Sequence, residues 1–382
     1  MTSLADRLRE RIRSEGPIAF SEYMNAALYD PEDGYYADPS FTTGRSGDFA
    51  TAPDTGPLMG ATLAEPVEAF AEQGSRLVEL GPGSGRLVTD VLDQLSEEAR
   101  QRLEVVLVEP FEARQQALAD RVEEDTGHRP RVVGDLEPVE PGRTFLLANE
   151  VLDALPVDVL AKTEDGLDAM HVDLDDGDGF VEVWQPAEPP LAEAAAPVAP
   201  RLPEGGRYEL SRGLEELLRS VAGTLDPGVA AVFDYGGRFD DLWGQGSSGT
   251  LRAFREHQHA EVLEDPGEVD LTADVDFSRV MGLADALGLA ETAYGGQDRL
   301  LVHLGLVEVA RQRDRMQEVK QLLVPSRSTG FGERFRALVL DRGGVADTLD
   351  LAVDLDDPDV WTRAMEDMGG EEGLAGLGSD LF

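Results

Sequence analysis

The chain has 382 residues, of which 76 are acidic and 33 basic, for a formal net charge of -43. The absence of cysteine excludes disulfides, thiolate nucleophiles and cysteine-based metal sites. Such a charge disfavours nucleic acid as a substrate, because it repels phosphate. No apolar run reaches membrane-spanning length, so membrane insertion is not expected, and the charged opening MTSLADRLRERIRSEG lacks the apolar centre of a signal peptide.

Only Lys162 and Lys320 are lysines, yet strand and helix periodicity persists and 41% of residues are hydrophobic, enough for a sizeable core. The acid therefore reads as a solvated surface suited to a salt-loaded cytoplasm. At molar salt the Debye length falls to roughly 3 Å and self-repulsion is screened. The same field would favour a cationic substrate.

The first predicted element is an amphipathic helix from residue 5, broken at Gly16-Pro17 and followed by a second short helix to residue 28. A turn-rich stretch precedes strand 76–80, whose glycine-rich end leads into helix 86–95. Strands 104–109, 131–133 and 144–149 alternate with helix-length segments, which predicts a parallel, doubly wound α/β sheet. Residues 164–205, acidic and then rich in alanine and proline, read as an inserted hairpin plus linker. The sheet resumes at 229–235, followed by a helix near 276–288, a strand at 299–304, a helix over 305–324 and a last strand at 336–340. The acidic tail 345–382 has little to bury and reads as mobile. The implied divisions are 1–60 (cap), 61–163 and 229–344 (halves of the main domain), 164–228 (insertion) and the tail.

The sharpest chemical feature is Glu79-Leu-Gly81-Pro-Gly83-Ser-Gly85 between a strand and a helix. Glycines let the backbone turn tightly and let a ligand lie against main-chain atoms. A dinucleotide fingerprint would put its third glycine at position 86; the shorter spacing, with an acid before the turn, suits an S-adenosylmethionine loop. That cofactor has no phosphate and carries an ammonium, around which Glu79 can organise the site. Glu109 closes the second strand, where a carboxylate suits ribose hydroxyls, and Asp135 follows the third as a further candidate for the cofactor.

The fourth strand ends in Ala148-Asn149-Glu150-Val151-Leu152-Asp153. If a helical turn begins there, Glu150 and Asp153 share a face and can grip a guanidinium. Acids capping a helix N-terminus are the equal alternative. Asp234 ends the next strand close by. His257 and His259 are two apart, which does not put both on one helical face, so no metal site is expected. His257 reads as a substrate-loop or structural residue or a general base. Tyr35, Tyr36 and Phe49 read as the cap's small core or a closure over the cofactor, and Trp243 as a candidate lid residue.

Several segments together resemble the MidA-type methyltransferases, a family that includes the mitochondrial factor for respiratory complex I assembly. They are LYDPEDGYY (28–36), GDFATAPDTGPLMG (47–60), VELGPGSG (78–85), ANEVLDALPV (148–157), FDYGG (233–237), TLRAFREHQ (250–258), DPGEVDLTADVDF (265–277) and FGERFRALVL (331–340), collinear over about residues 20–340. The resemblance implies a Rossmann-like class I methyltransferase, a seven-stranded sheet with an N-terminal cap and an inserted subdomain. It implies S-adenosylmethionine as cofactor, bound by Gly47, Asp48, Phe49, Thr51 and Pro53 with the glycine loop and Asn149. It also implies arginine methylation of a protein, a respiratory complex I subunit in the mitochondrial case. Two departures bear on the acceptor pocket: Asp54 stands where the family has Glu, and Val151-Leu152 where an aromatic pair is common. A cofactor-binding assembly factor with little turnover, a small-molecule methyltransferase and a homodimer stay open.

Overall fold

The computed structural model describes residues 2–37, 52–243, 248–255, 258–323, 335–360 and 362. Among the described residues seven strands build the main sheet: β1 (Ser75–Leu80), β2 (Leu103–Val108), β3 (Arg131–Val133), β4 (Gly142–Asn149), β5 (Leu225–Gly237), β6 (Ala290–Gly296) and β7 (Phe335–Arg342). Their spatial order is β6-β7-β5-β4-β1-β2-β3, with the short strand Val275–Asp276 pairing off this path onto the end of β5. Strands β5, β4, β1, β2 and β3 run parallel. Strand β7 is antiparallel to both of its neighbours.

Period-two alternation feeds a separate core on each face of this sheet. Leu77, Phe145, Leu147, Val229, Ala231 and Val339 pack against helices Leu58–Phe70, Arg86–Leu92 and Gln297–His303. Val78, Leu146, Ala148, Ala230 and Leu338 face helices Gly213–Thr224 and Phe277–Ala286. The expected doubly wound sheet is therefore present.

Helices Leu4–Glu15 and Phe20–Tyr29 form the cap, and the two-residue strand Ile18–Ala19 between them pairs antiparallel with Gly166–Leu174 of the insertion. Cap and insertion share one core, in which Leu8, Tyr23 and Met24 meet Val159, Met170 and Val172. A three-stranded sheet of Arg252–Arg255, Gln258–Ala260 and Asp270–Thr272 contributes Ala253 and Leu271 to the same core.

Four expectations need correction. The apolar run at 299–304 is helical, within Gln297–His303, and the sheet strand lies just before it at β6. Helix 305–324 is two helices, Leu306–Gln312 and Met316–Leu323, parted by Asp314 at φ 55. The supposed linker after the hairpin carries helix Pro189–Ala195, with Leu191, Ala195, Val198 and Leu202 buried beside Tyr208. The tail is docked as far as residue 360: Leu349, Leu351, Leu355 and Val360 are all buried. Among the described residues no helix is long and apolar enough to cross a membrane.

Candidate active site

In a doubly wound sheet the crevice opens at the carboxyl ends of the strands, where the order reverses. Here the reversal lies between β1 and β4, and a cavity of about 500 Å³ opens there. That lies within the roughly 300–1,000 Å³ of small-molecule sites. Gly81 and Gly83 line it after β1, Glu109 and Phe111 after β2, Gly134 to Leu136 after β3, and Asn149 to Val151 after β4.

The first two loop glycines line the cavity. Gly81 and Gly83 have φ of 58° and 53°, the left-handed region that side chains rarely adopt. A Cβ on Gly81 would come within 3.1 Å of Val151 Cγ2. Gly85 does something different. Its Cβ would sit 2.9 Å from Leu118 Cδ1 and from Val122 Cγ2, so it packs the helix start against helix Glu112–Thr126 and does not line the cavity.

Glu79 is also off the cavity wall. Alternation along β1 puts it on the face of Leu77, 3% exposed, where the backbone N–H of Val88 donates to it. Its Oε2 has no hydrogen-bond partner among the described residues, and burial pushes the carboxyl up to about 8. It supports the loop from behind.

Glu109 lines the cavity at 3% exposure, accepting the Phe111 N–H at 3.0 Å, with Arg114 Nη2 at 3.6 Å. Burial raises its pKa, and Arg114 partly offsets this. Arg114 also donates to the carbonyls of Tyr36 (3.0 Å) and Gly83 (3.3 Å), tying cap, loop and acid together. A buried carboxylate at the end of β2 beside a glycine turn fits the ribose and main-chain contacts of a sulfonium nucleoside. Asp135 is on the wall too, exposed and accepting the Glu137 N–H at 2.9 Å.

No helix begins at Glu150. Instead the chain turns sharply, with Glu150 at φ 53° and its N–H donating to Phe233 O at 2.8 Å. The Asp234 carboxylate holds this turn: its Oδ2 accepts from the N–H groups of Val151 (3.1 Å), Leu152 (2.7 Å) and Asp153 (3.4 Å). Its Oδ1 takes the N–H of Tyr235 at 2.8 Å. Asp234 is fully buried and off the cavity wall; burial pushes it up to about 7 against the pull of those four donors.

Glu150 and Asp153 both reach the cavity. Glu150 Oε1 accepts from Asn149 Nδ2 at 3.1 Å, and the Ala52 N–H donates to the same carboxylate. Asp153 is 4% exposed and its Oδ1 has no partner among the described residues. Both carboxyls are held well above their usual range, by burial first and by neighbouring carboxylates second. Pro53 is buried in the 3-10 turn Ala52–Thr55, behind Glu150 and not on the wall, and Asp54 adds negative charge near Glu150.

Gly47, Asp48, Phe49, Thr51 and His257 lie outside the described residues. Trp243 is no lid residue: it is fully buried, donating from Nε1 to Glu209 Oε2 at 3.0 Å. Tyr35 and Tyr36, by contrast, do line the cavity, with Tyr29 and Phe111 stacked at 6.4 Å between centroids. Sequence reasoning missed Tyr29, Phe111, Arg114 and Asp270. Tyr29 and Asp270 belong to LYDPEDGYY and DPGEVDLTADVDF, two of the segments that carry the family resemblance, and that was their signal.

The chain is similar to several known proteins. A family model described as S-adenosyl-L-methionine-dependent methyltransferase matches residues 58–294. The protein arginine methyltransferase NDUFAF7 homolog, mitochondrial, of Drosophila melanogaster is 34% identical over 325 residues, 75% of this chain and 71% of that one. The Homo sapiens protein arginine methyltransferase NDUFAF7, mitochondrial, is 30% identical over 383 residues, 89% and 83% of the two chains. A crystal structure from Burkholderia thailandensis, bound to S-adenosyl-homocysteine, superposes with a TM-score of 0.79 at 30% identity, covering 89% of this chain and 92% of that one.

Proposed function

We propose that this chain, which belongs to the S-adenosyl-L-methionine-dependent methyltransferase family, methylates an arginine side chain of a protein substrate. The observation that carries the acceptor is the pair Glu150 and Asp153 on the cavity wall beside Gly81 and Gly83. Two poorly hydrated carboxylates whose pKa values are raised by burial and by the nearby Asp234 gain most from an incoming cation, and a planar guanidinium can meet both at once.

When bound, S-adenosylmethionine would supply an electrophilic methyl whose leaving group is the neutral thioether of S-adenosyl-homocysteine. The protein's share is orientation. Glu150 and Asp153 accept guanidinium N–H groups, drawing positive charge toward themselves and leaving the lone pair of one nitrogen available to the methyl. Holding reacting atoms near contact distance can supply about 7–11 kcal/mol of the barrier. The new carbon–nitrogen bond leaves one proton to be shed, and the raised pKa of Glu150 suits it to hold that proton. Glu109 and the main chain at Gly81 and Gly83 would hold the nucleoside, while Tyr35 and Tyr36 shield the crevice from water.

The test is transfer from methyl-labelled S-adenosylmethionine into a cell extract lacking the protein's own gene, followed by hydrolysis. Label should appear in methylarginine, with a respiratory complex I subunit as the first acceptor to inspect. Label confined to lysine or to small metabolites overturns the reading.

The acidic surface supports a setting in a salt-rich cytoplasm. Melting temperature is expected to rise by roughly 10 °C or more from dilute buffer to molar KCl as self-repulsion is screened. A melting point indifferent to KCl removes that part of the proposal.

A further inference from the structure

We propose that Asp270 is a third acceptor-binding carboxylate, oriented by Tyr36, and that it makes the site selective for arginine over lysine. This rests on the arginine reading above. Asp270 belongs to neither the main sheet nor its loops. It opens strand Asp270–Thr272 of the small inserted sheet, yet it stands on the same cavity wall as Glu150 and Asp153.

Three contacts fix it there. The Tyr36 hydroxyl, from the cap, donates to Asp270 Oδ1 at 2.7 Å. The backbone N–H of Ala273 donates to the carbonyl of Asp153 at 3.0 Å, locking the inserted strand to the turn after β4. The Asp270 main chain is registered opposite Phe254 in the sheet. Asp270 is 5% exposed and Asp153 4%, so both are more than nine-tenths buried. Asp153 Oδ1, on the same wall, has no partner among the described residues. Buried carboxylate oxygens normally find a donor. A cationic ligand on this wall supplies the donor that Asp153 Oδ1 lacks among the described residues.

The choice between cations follows from geometry. With one nitrogen left open to the methyl, a guanidinium still presents three N–H groups that diverge in one plane, and carboxylates on a single turn face only part of that edge. A third acceptor outside the β4 turn takes the remainder. An ammonium has three protons and no lone pair. Three carboxylates around it would hold all three protons and keep the amine unreactive.

The test uses the full chain loaded with S-adenosyl-homocysteine in molar KCl, titrated calorimetrically with N-acetylarginine amide. Asp270→Asn is expected to weaken arginine binding by about tenfold or more, the loss of one charge-assisted hydrogen bond, with S-adenosyl-homocysteine affinity unchanged. Tyr36→Phe should weaken it by about threefold, since only the orienting hydroxyl is removed. Asp270→Asn with wild-type arginine affinity overturns the proposal and leaves the arginine reading standing. Parallel loss of S-adenosyl-homocysteine binding makes Asp270 structural and also overturns it. Failure of the wild-type chain to bind the arginine ligand overturns the arginine reading itself, and this proposal with it.

Discussion

Replacing Glu150 by Gln is expected to lower kcat for methyl transfer by roughly 10²–10³, with S-adenosyl-homocysteine affinity changed less than about twofold. The amide keeps the side-chain volume and can still meet Asn149, whose Nδ2 lies 3.1 Å from Oε1. What it loses is the charge that polarises the guanidinium and the capacity to take the proton released late in the reaction. Glu150 and Asp153 act on one acceptor in this reading. A Glu150→Gln, Asp153→Asn double variant should therefore cost much less than the product of the single losses. Steady-state kinetics with a labelled donor measures both. A Glu150→Gln enzyme turning over at the wild-type rate removes Glu150 from the chemistry.

Replacing Asp234 by Ala is expected to act on stability first. Four backbone N–H groups, those of Val151, Leu152, Asp153 and Tyr235, converge on this fully buried carboxylate. Losing a charged acceptor at that point should cost roughly 3–5 kcal/mol, since each stranded buried donor costs about 1–3 kcal/mol and some will recover water. Glu150, held at φ 53° by this bracket, would relax toward ordinary backbone, and transfer should fall with it. Denaturant midpoints read the first effect and acceptor KM the second. Asp234→Asn keeps one acceptor oxygen and should fall between the two. An Ala variant as stable as the wild type means the bracket contributes nothing. Asp234 is thus proposed as a positioning residue, not one that meets the substrate.

The parallel strands were readable because they are buried on both faces. RLVEL, EVVLVE and TFLLAN are short apolar runs with few other places to go. The same rule misled at LLVHL, since a fully buried helix turn looks identical to a buried strand over five residues. The true strand there, AETAYGG, is rich in alanine and glycine and takes its conformation from pairing with β7. Leu349, Leu351 and Leu355 sit alone among acids, and only the packed core shows where they dock.

For the site, glycine spacing and strand ends pointed to Gly81, Gly83 and Glu109, and the structure puts all three on the cavity wall. The roles of Glu79 and Gly85 could not be read this way, because which face of β1 meets a helix and which meets the ligand depends on tertiary packing. Tyr29, Arg114 and Asp270 come from three segments that meet only after the cap and insertion have joined. No local spacing announces such a meeting.

The antiparallel strand β7 also bears on how the molecule is made. It occupies an interior position between β5 and β6, although it leaves the ribosome after both. At about 5–20 residues per second, the stretch from residue 237 to residue 335 takes roughly 5–20 s to synthesise. Through that interval one edge of β5 has no neighbour and β6 has nothing to join. A message truncated before residue 335 would thus yield a sheet with a missing plank, and the nascent chain must keep that gap from closing on itself until β7 has been made.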